Sequence, residues 1–218
     1  GVVYSAEIIE KLAALKPASK DFRIMWDNAY CVHEFEGEFV PFRDMIAVCA
    51  QAGNPNRVIE FASTSKISFP GSGVAIFAAS DHNMAQIKPI MGVQTIGYDK
   101  INQIRHVKYF KNADNIRTHM MVLADLIRPK FDIVLDILSR EIEGTGAATW
   151  TKPLGGYFVS LYTLDGCAKR AYNLAKEAGV TLTTVGATYP YGNDLRDRNI
   201  RIAPTYPSNE DLIKAMEV

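Results

Sequence analysis

The sequence is poor in several features that would announce a function class. It has only three cysteines in 218 residues, Cys31, Cys49 and Cys167. They are odd in number, far apart and form no Cys-x-x-Cys pair, which argues against a disulfide scaffold and a cysteine zinc site. Each reads as a small buried apolar residue, in a protein of a reducing, cytoplasmic compartment. Neither sign of charge is in excess: 24 Lys and Arg face 24 Asp and Glu. The basic surplus usual in a nucleic-acid binder is therefore missing. No apolar run approaches the ~18 residues that a membrane span requires. Residues 1–10 lack the basic start and apolar run of a signal peptide. The four histidines, His33, His82, His106 and His119, show no ligand spacing and read as surface or structural residues, with no metal expected. Gly71-Ser72-Gly73 is too short for a dinucleotide fingerprint.

What is there is an ordinary globular composition, 48% apolar and 22% charged. Ser5 is placed to cap a helix over 6–16, with Ile8, Leu12 and Leu15 on one face. Phe22 to Trp26 reads as a strand that delivers Asp27 at its end. Pro41 opens a helix with Phe42, Met45, Ile46 and Cys49 on one face, stopped by Gly53. Val58 to Ala62 is a second strand, ending in Ser63-Thr64-Ser65-Lys66. Val74 to Ala79 is nearly all apolar, as expected of a strand buried on both faces. Ser80-Asp81 starts another helix. A helical stretch of Asn112 to about Ile142 contains Pro129, which should kink or split it. Beyond Gly144 and Gly146 the pattern is a smaller unit. It has strands near 147–151, 157–162, 180–185 and 199–203, a helix near 166–178 and a last helix after Ser208.

Strands alternating with helices predict an α/β sheet. Ligands of such sheets sit outside the strand carboxyl ends. Asp27 and the Ser63–Lys66 run both fall at such ends. Three motifs then stand in order: Asp27-Asn28-Ala29-Tyr30, Ser63-Thr64-Ser65-Lys66 and Asn199-Ile200-Arg201-Ile202-Ala203. With Pro153-Leu154-Gly155-Gly156-Tyr157-Phe158, they resemble the signature segments of class I aminotransferases, in the aspartate aminotransferase superfamily of fold type I pyridoxal 5′-phosphate (PLP) enzymes. The chain is most similar to a bacterial subgroup of aspartate or alanine-like enzymes, and covers their C-terminal half.

That resemblance implies a fold and a chemistry. Residues 1–111 would be the C-terminal part of a large PLP-binding domain with a mostly parallel sheet, 112–145 a long interdomain helix and 146–218 a small α+β domain. Lys66 would carry PLP as a Schiff base and shuttle the substrate proton, which requires a desolvated, partly neutral amine. Asp27 would hold the proton on the ring nitrogen, because an opposite charge at hydrogen-bond distance favours the charged form. Tyr30 would donate to the ring's phenolic oxygen. Ser63 would contact the phosphate. Members of the family commonly carry an arginine for that phosphate at the place of Val74, and here Ser68 and backbone amides are the expected substitutes. Arg201, rather than Arg196 or Arg198, would grip the substrate α-carboxylate through its planar fork.

The implied reaction moves an amino group from an amino acid, aspartate first, to a 2-oxo acid such as 2-oxoglutarate. A PLP-dependent β-lyase and the PLP-binding module of a transcriptional regulator are the alternatives, since the same residues serve them. The intact enzyme would be a cytoplasmic homodimer with no nucleic-acid or membrane partner. Gly1 falls where an Asn-Pro-Thr-Gly motif of the family would end, and the last helix looks cut short, so the chain by itself is expected to be inactive and to bind PLP weakly.

Overall fold

A computed structural model describes residues 4–35 and 43–218. These divide into two compact units. The first holds residues 4–32 and 43–120, the second His33 to Phe35 together with Met121–Val218. Pro41 and Phe42, expected at the start of a helix, lie outside the described residues.

In the first unit helix α1 spans Ala6–Ala13, and the Ser5 hydroxyl accepts the Ile8 N–H. Its buried stripe is Ile9 and Ala13 with Leu12 packed beside them, while Ile8 and Leu15 are exposed. The expected Ile8–Leu12–Leu15 face fails at both ends: Ile8 lies off the buried Ile9–Ala13 stripe, and the helix stops at Ala13, short of Leu15. Strand β1 (Ile24–Asp27), helix α2 (Met45–Gln51), strand β2 (Val58–Ser63) and strand β3 (Ala75–Ala79) follow. Asp44 caps α2, and Gly53 ends the turn after it with φ 77°, a conformation that suits glycine.

The sheet order is β1-β2-β3. β1 pairs with β2 in parallel, Asp27 opposite Phe61, and β2 pairs with β3 antiparallel, Phe61 opposite Phe77. Ile24, Trp26 and Val58 pack on α1 and α2 around Met45 and Cys49. Met25, Asp27 and Phe61, on the other face, are exposed. β3 was expected to be buried on both faces, and instead it is an edge strand with Ile76 exposed. Its apolar run reports the demand for cover rather than cover from strands on both sides.

Helix α3 (Asp81–Gln94) is capped by Ser80, and helix α4 (Lys100–Phe110), which the sequence reading does not single out, is capped by Asp99. Helix α5 runs Ala113–Ile142 as one 30-residue element through Pro129. It is therefore not split. Buried residues on both sides of the proline, Ala124, Phe131 and Val134, supply packing that offsets the lost backbone hydrogen bond.

The second unit contains strands β4 (Ala148–Trp150), β5 (Val159–Thr163) and β6 (Asn199–Ile202), in that order and antiparallel throughout. Helices α6 (Ala168–Glu177) and α7 (Asn209–Met216) accompany them. Phe131, Val134, Leu138, Val159, Ile200 and Leu212 form its core with Phe35, whose ring centroid lies 4.5 Å from that of Phe131. The strand expected at 180–185 does not form. Both edges of β5 are taken, by β4 and β6, yet Leu182 and Val185 still pack against the core. Gly155 bridges Glu34, and a Cβ added there would stand 2.3 Å from the His33 carbonyl oxygen. Only glycine fits that approach, which gives the Pro153–Phe158 motif its physical reason.

Cys49 is buried, and burial pushes its thiol pKa up against the opposing pull of Arg57. Cys167, expected to be buried, is exposed at the start of α6. Among the described residues no helix is long and apolar enough to cross a membrane.

Candidate functional site

Asp27 is the last residue of β1 and is exposed, with its Oδ1 accepting the Ala29 N–H at 3.0 Å. The next residue locks this strand end to β2. The Asn28 N–H donates to the Phe61 carbonyl at 2.7 Å, and Asn28 Nδ2 donates to Glu60 Oε1 at 3.0 Å. The chain then turns through Tyr30, whose side chain is partly exposed. Val32 closes the turn at φ 62°, a left-handed conformation that a β-branched residue rarely adopts.

On the neighbouring strand, β2 ends at Ser63 and the chain folds into a tight turn. The Ile67 and Ser68 N–H groups both donate to the Thr64 carbonyl, at 2.9 and 2.8 Å. The loop is closed at its base, where Thr64 N–H donates to the Val74 carbonyl and Val74 N–H donates to the Thr64 hydroxyl, at 2.9 and 2.8 Å. Gly73 lies against Ser65 so closely that an added Cβ would stand 2.7 Å from its hydroxyl oxygen. The Ser65 nitrogen and Cα would be 3.0 and 3.1 Å from the same Cβ, so any larger residue at 73 presses on the backbone of the turn.

The hydroxyls of this turn fall into two groups. Ser63 and Ser65 stand 2.8 Å apart and form one pair. Thr64 and Ser68 form the other, with His106 of α4: the imidazole Nε2 is 2.7 Å from the Ser68 hydroxyl and 3.2 Å from that of Thr64. Lys66 sits between them in the turn and is exposed in this chain, whereas the chemistry asks for a desolvated lysine. Two helices reach the turn from outside. Asn102 of α4 donates to the Ser72 and Gly73 carbonyls, and His119 of α5 donates to the Ile67 carbonyl at 2.8 Å.

Arg201 belongs to the second unit. It lies on β6 opposite Ser160, with its guanidinium carbon 4.4 Å from the Phe158 ring centroid and its Nε donating to the Thr183 hydroxyl at 3.3 Å. Among the described residues it makes no ion pair. The two neighbouring arginines are engaged. Arg196 donates from Nε to both oxygens of Asp165, and that hydrogen-bonded carboxylate raises its pKa. Arg198 lies over the Tyr162 ring and 3.9 Å from Asp165. The arginine left for an external carboxylate is thus the one in the Ile-Arg-Ile pattern.

The strand leading to Arg201 is anchored by Asp194. Burial raises the pKa of this carboxyl, but backbone donations from Arg198, Asn199 and Arg196 outweigh it and hold the group below the usual carboxylate range.

The structure gathers Asp27, Tyr30, Ser63, Lys66 and Ser68 in the first unit and places Arg201 in the second. The sequence reading missed Asn102 and His106. Their spacing of four residues, which puts both on one face of a helix, was the available signal.

The donor set suits PLP: a carboxylate at one strand end for a ring nitrogen, and a hydroxyl pair beside a lysine for a phosphate. The sequence model described as aspartate amino-transferase matches residues 1–218. A Mycolicibacterium smegmatis protein named as an aminotransferase is 48% identical over 217 residues, covering all of this chain and 51% of its own length. The crystal structure of an aspartate transaminase from Corynebacterium glutamicum superposes with a TM-score of 0.94 at 42% identity, over 98% of this chain and 50% of that one. A Corynebacterium diphtheriae aminotransferase structure gives 0.96 at 41%, over 100% and 54%. The chain therefore spans about half the length of the relatives it matches.

Proposed function

The chain belongs to the aspartate aminotransferase family, and we propose that it is the lysine-bearing part of a PLP-dependent aminotransferase. The observation that carries this reading is the parallel pairing of β1 and β2, which sets Asp27 and the Ser63–Lys66 turn at adjacent carboxyl strand ends. PLP, when bound, supplies an electron sink for the substrate's α-carbon.

The chain's own residues do the rest. Asp27 holds a proton on the cofactor's ring nitrogen. Tyr30 donates its hydroxyl to the ring oxygen. Ser63, with Ser65 beside it, donates to the phosphate, and Ser68 acts from behind the turn. The Lys66 amine anchors the cofactor and then moves a proton from the substrate's α-carbon. Arg201 receives the α-carboxylate as a bidentate partner. Residues 1–111 serve as the C-terminal part of the cofactor domain, 112–145 as the connecting helix and 146–218 as the small domain. The donor is aspartate and the acceptor a 2-oxo acid such as 2-oxoglutarate. The full-length enzyme works as a cytoplasmic homodimer, in which Lys66 is desolvated. The 218-residue chain alone is inactive and binds PLP weakly.

The test is borohydride reduction of the full-length protein with PLP, followed by peptide mass mapping. A pyridoxyl adduct on Lys66 is expected. Lys66→Ala should lose both the adduct and at least about 1,000-fold of the transamination rate, the scale of a positioned acid–base group. The 218-residue chain should give little adduct. A folded full-length protein without the adduct sinks the reading, and an adduct with elimination in place of transamination replaces it with a β-lyase.

A further inference from the structure

The second hydroxyl group of the lysine turn faces α4, where a backbone contact selects the tautomer of a neutral His106 ring. The imidazole Nδ1 stands 2.8 Å from the Asn102 carbonyl oxygen. A carbonyl can only accept, so Nδ1 carries the proton. In the neutral ring Nε2 is then a bare acceptor, and it takes the Ser68 hydroxyl proton across 2.7 Å. Ser68 is also within 3.1 Å of the Thr64 carbonyl oxygen and 3.3 Å of the Thr64 hydroxyl. Its single proton is thus engaged by the imidazole or by Thr64. Asn102, one helical turn before His106, holds the Ser72 and Gly73 carbonyls at the far end of the same loop. α4 therefore grips both ends of the segment that carries Lys66. The Phe110 ring, 6.1 Å from the imidazole, packs on the other side.

We propose that His106 is a positioning residue for Lys66: acting through Ser68, and together with Asn102, it holds the lysine turn in the conformation that presents the amine. Ser68 is then a tie between turn and helix, not a phosphate ligand. This rests on Lys66 being the cofactor lysine.

The test uses the full-length protein and two aldehydes, PLP and phosphate-free pyridoxal, with the borohydride-trapped fraction at Lys66 as readout. His106→Leu removes the acceptor and should lower trapping about 3- to 10-fold with both aldehydes, the size of one buried hydrogen bond. His106→Gln restores an acceptor and should recover most of it. Ser68→Ala should match His106→Leu, and the double variant should be no worse than either alone, because both remove one link. Thermal midpoints of all variants should stay close to that of the parent.

Trapping by His106→Leu at the parent level overturns the proposal. So does a loss confined to PLP, which would make Ser68 a phosphate ligand after all, or a failure of Gln to recover, which would make the imidazole mere filling. Absence of adduct in the parent with either aldehyde sinks the cofactor reading itself, and this proposal with it.

Discussion

In the second unit Phe131, Val134 and Val159 are 1%, 0% and 0% exposed, whereas in the first Val93, Ile96 and Ile101 are 87%, 102% and 77% exposed. The difference is one of cover, not of composition. The second unit closes its sheet, α5 from Met121 onward, α6 and α7 around a single core. The first closes only the α1–α2 side of its sheet and leaves apolar side chains on α3, α4 and β3 in solvent. Apolar side chains exposed together on neighbouring elements are the mark of a contact surface. The second unit also exposes Leu126, Leu195 and Tyr206, but the unit that leaves more of its large apolar side chains in solvent is the one that holds Asp27 and Lys66; the chain spans about half the length of its relatives.

The comparison can be broken most decisively in the closed core. Phe131→Ala should destabilise the second unit by about 3–5 kcal/mol, the usual cost of deleting a buried aromatic. The two tryptophans fall one in each unit, Trp26 and Trp150. Denaturation monitored in a Trp26→Phe background therefore reports on the second unit through Trp150. A loss below about 1 kcal/mol would mean that its core is no better closed than the first unit's.

A smaller effect comes from Asp194. Its carboxyl titrates below the usual carboxylate range in the folded state, since three backbone donors outweigh burial. The stability it contributes is thus fully present above the ordinary carboxylate pKa of about 4 and is lost as pH falls through the lower folded value. Asp194→Asn should cost about 1–3 kcal/mol at neutral pH, because the amide NH2 replaces an oxygen that accepts backbone donors at this site and leaves them unsatisfied. The denaturation midpoint of the second unit, measured from pH 7 down to pH 3, should also fall less steeply in the variant. Parallel acid limbs would show that Asp194 plays no part in the acid response.

How much of this was legible in the sequence differs between the two units in the same way. In the second, Gly179 and Ser208 mark helix ends that the structure reproduces, because local capping and local packing agree there. The segment expected to be a strand at 180–185 packs Leu182 and Val185 on the core without pairing to the outer edge of β4 or β6, and pairing is a fact that no local pattern carries. In the first unit the motifs could be placed. Asp27 and Ser63 end adjacent parallel strands as their position after apolar runs implied. Burial could not, because Ile8 and Ile76 are apolar toward partners that the local sequence does not name. His106 offered only its four-residue spacing from Asn102 on one helix face. Its bond to Ser68 joins residues far apart in the chain, and a contact of that kind has no local signature.

The least effect is expected where the first unit is most open. Ile96 lies just beyond α3, fully exposed. In the 218-residue chain, Ile96→Ser removes no buried contact and should change stability by less than about 0.5 kcal/mol, while improving solubility. In the full-length protein the same substitution should cost about 1–3 kcal/mol if the surface is covered there, the value of burying one aliphatic side chain. Paired denaturation curves on the two forms therefore measure the cover directly. Equal, negligible effects in both would mean that this surface stays in solvent in the longer protein too, and the contrast between the units would then be a property of the fold itself.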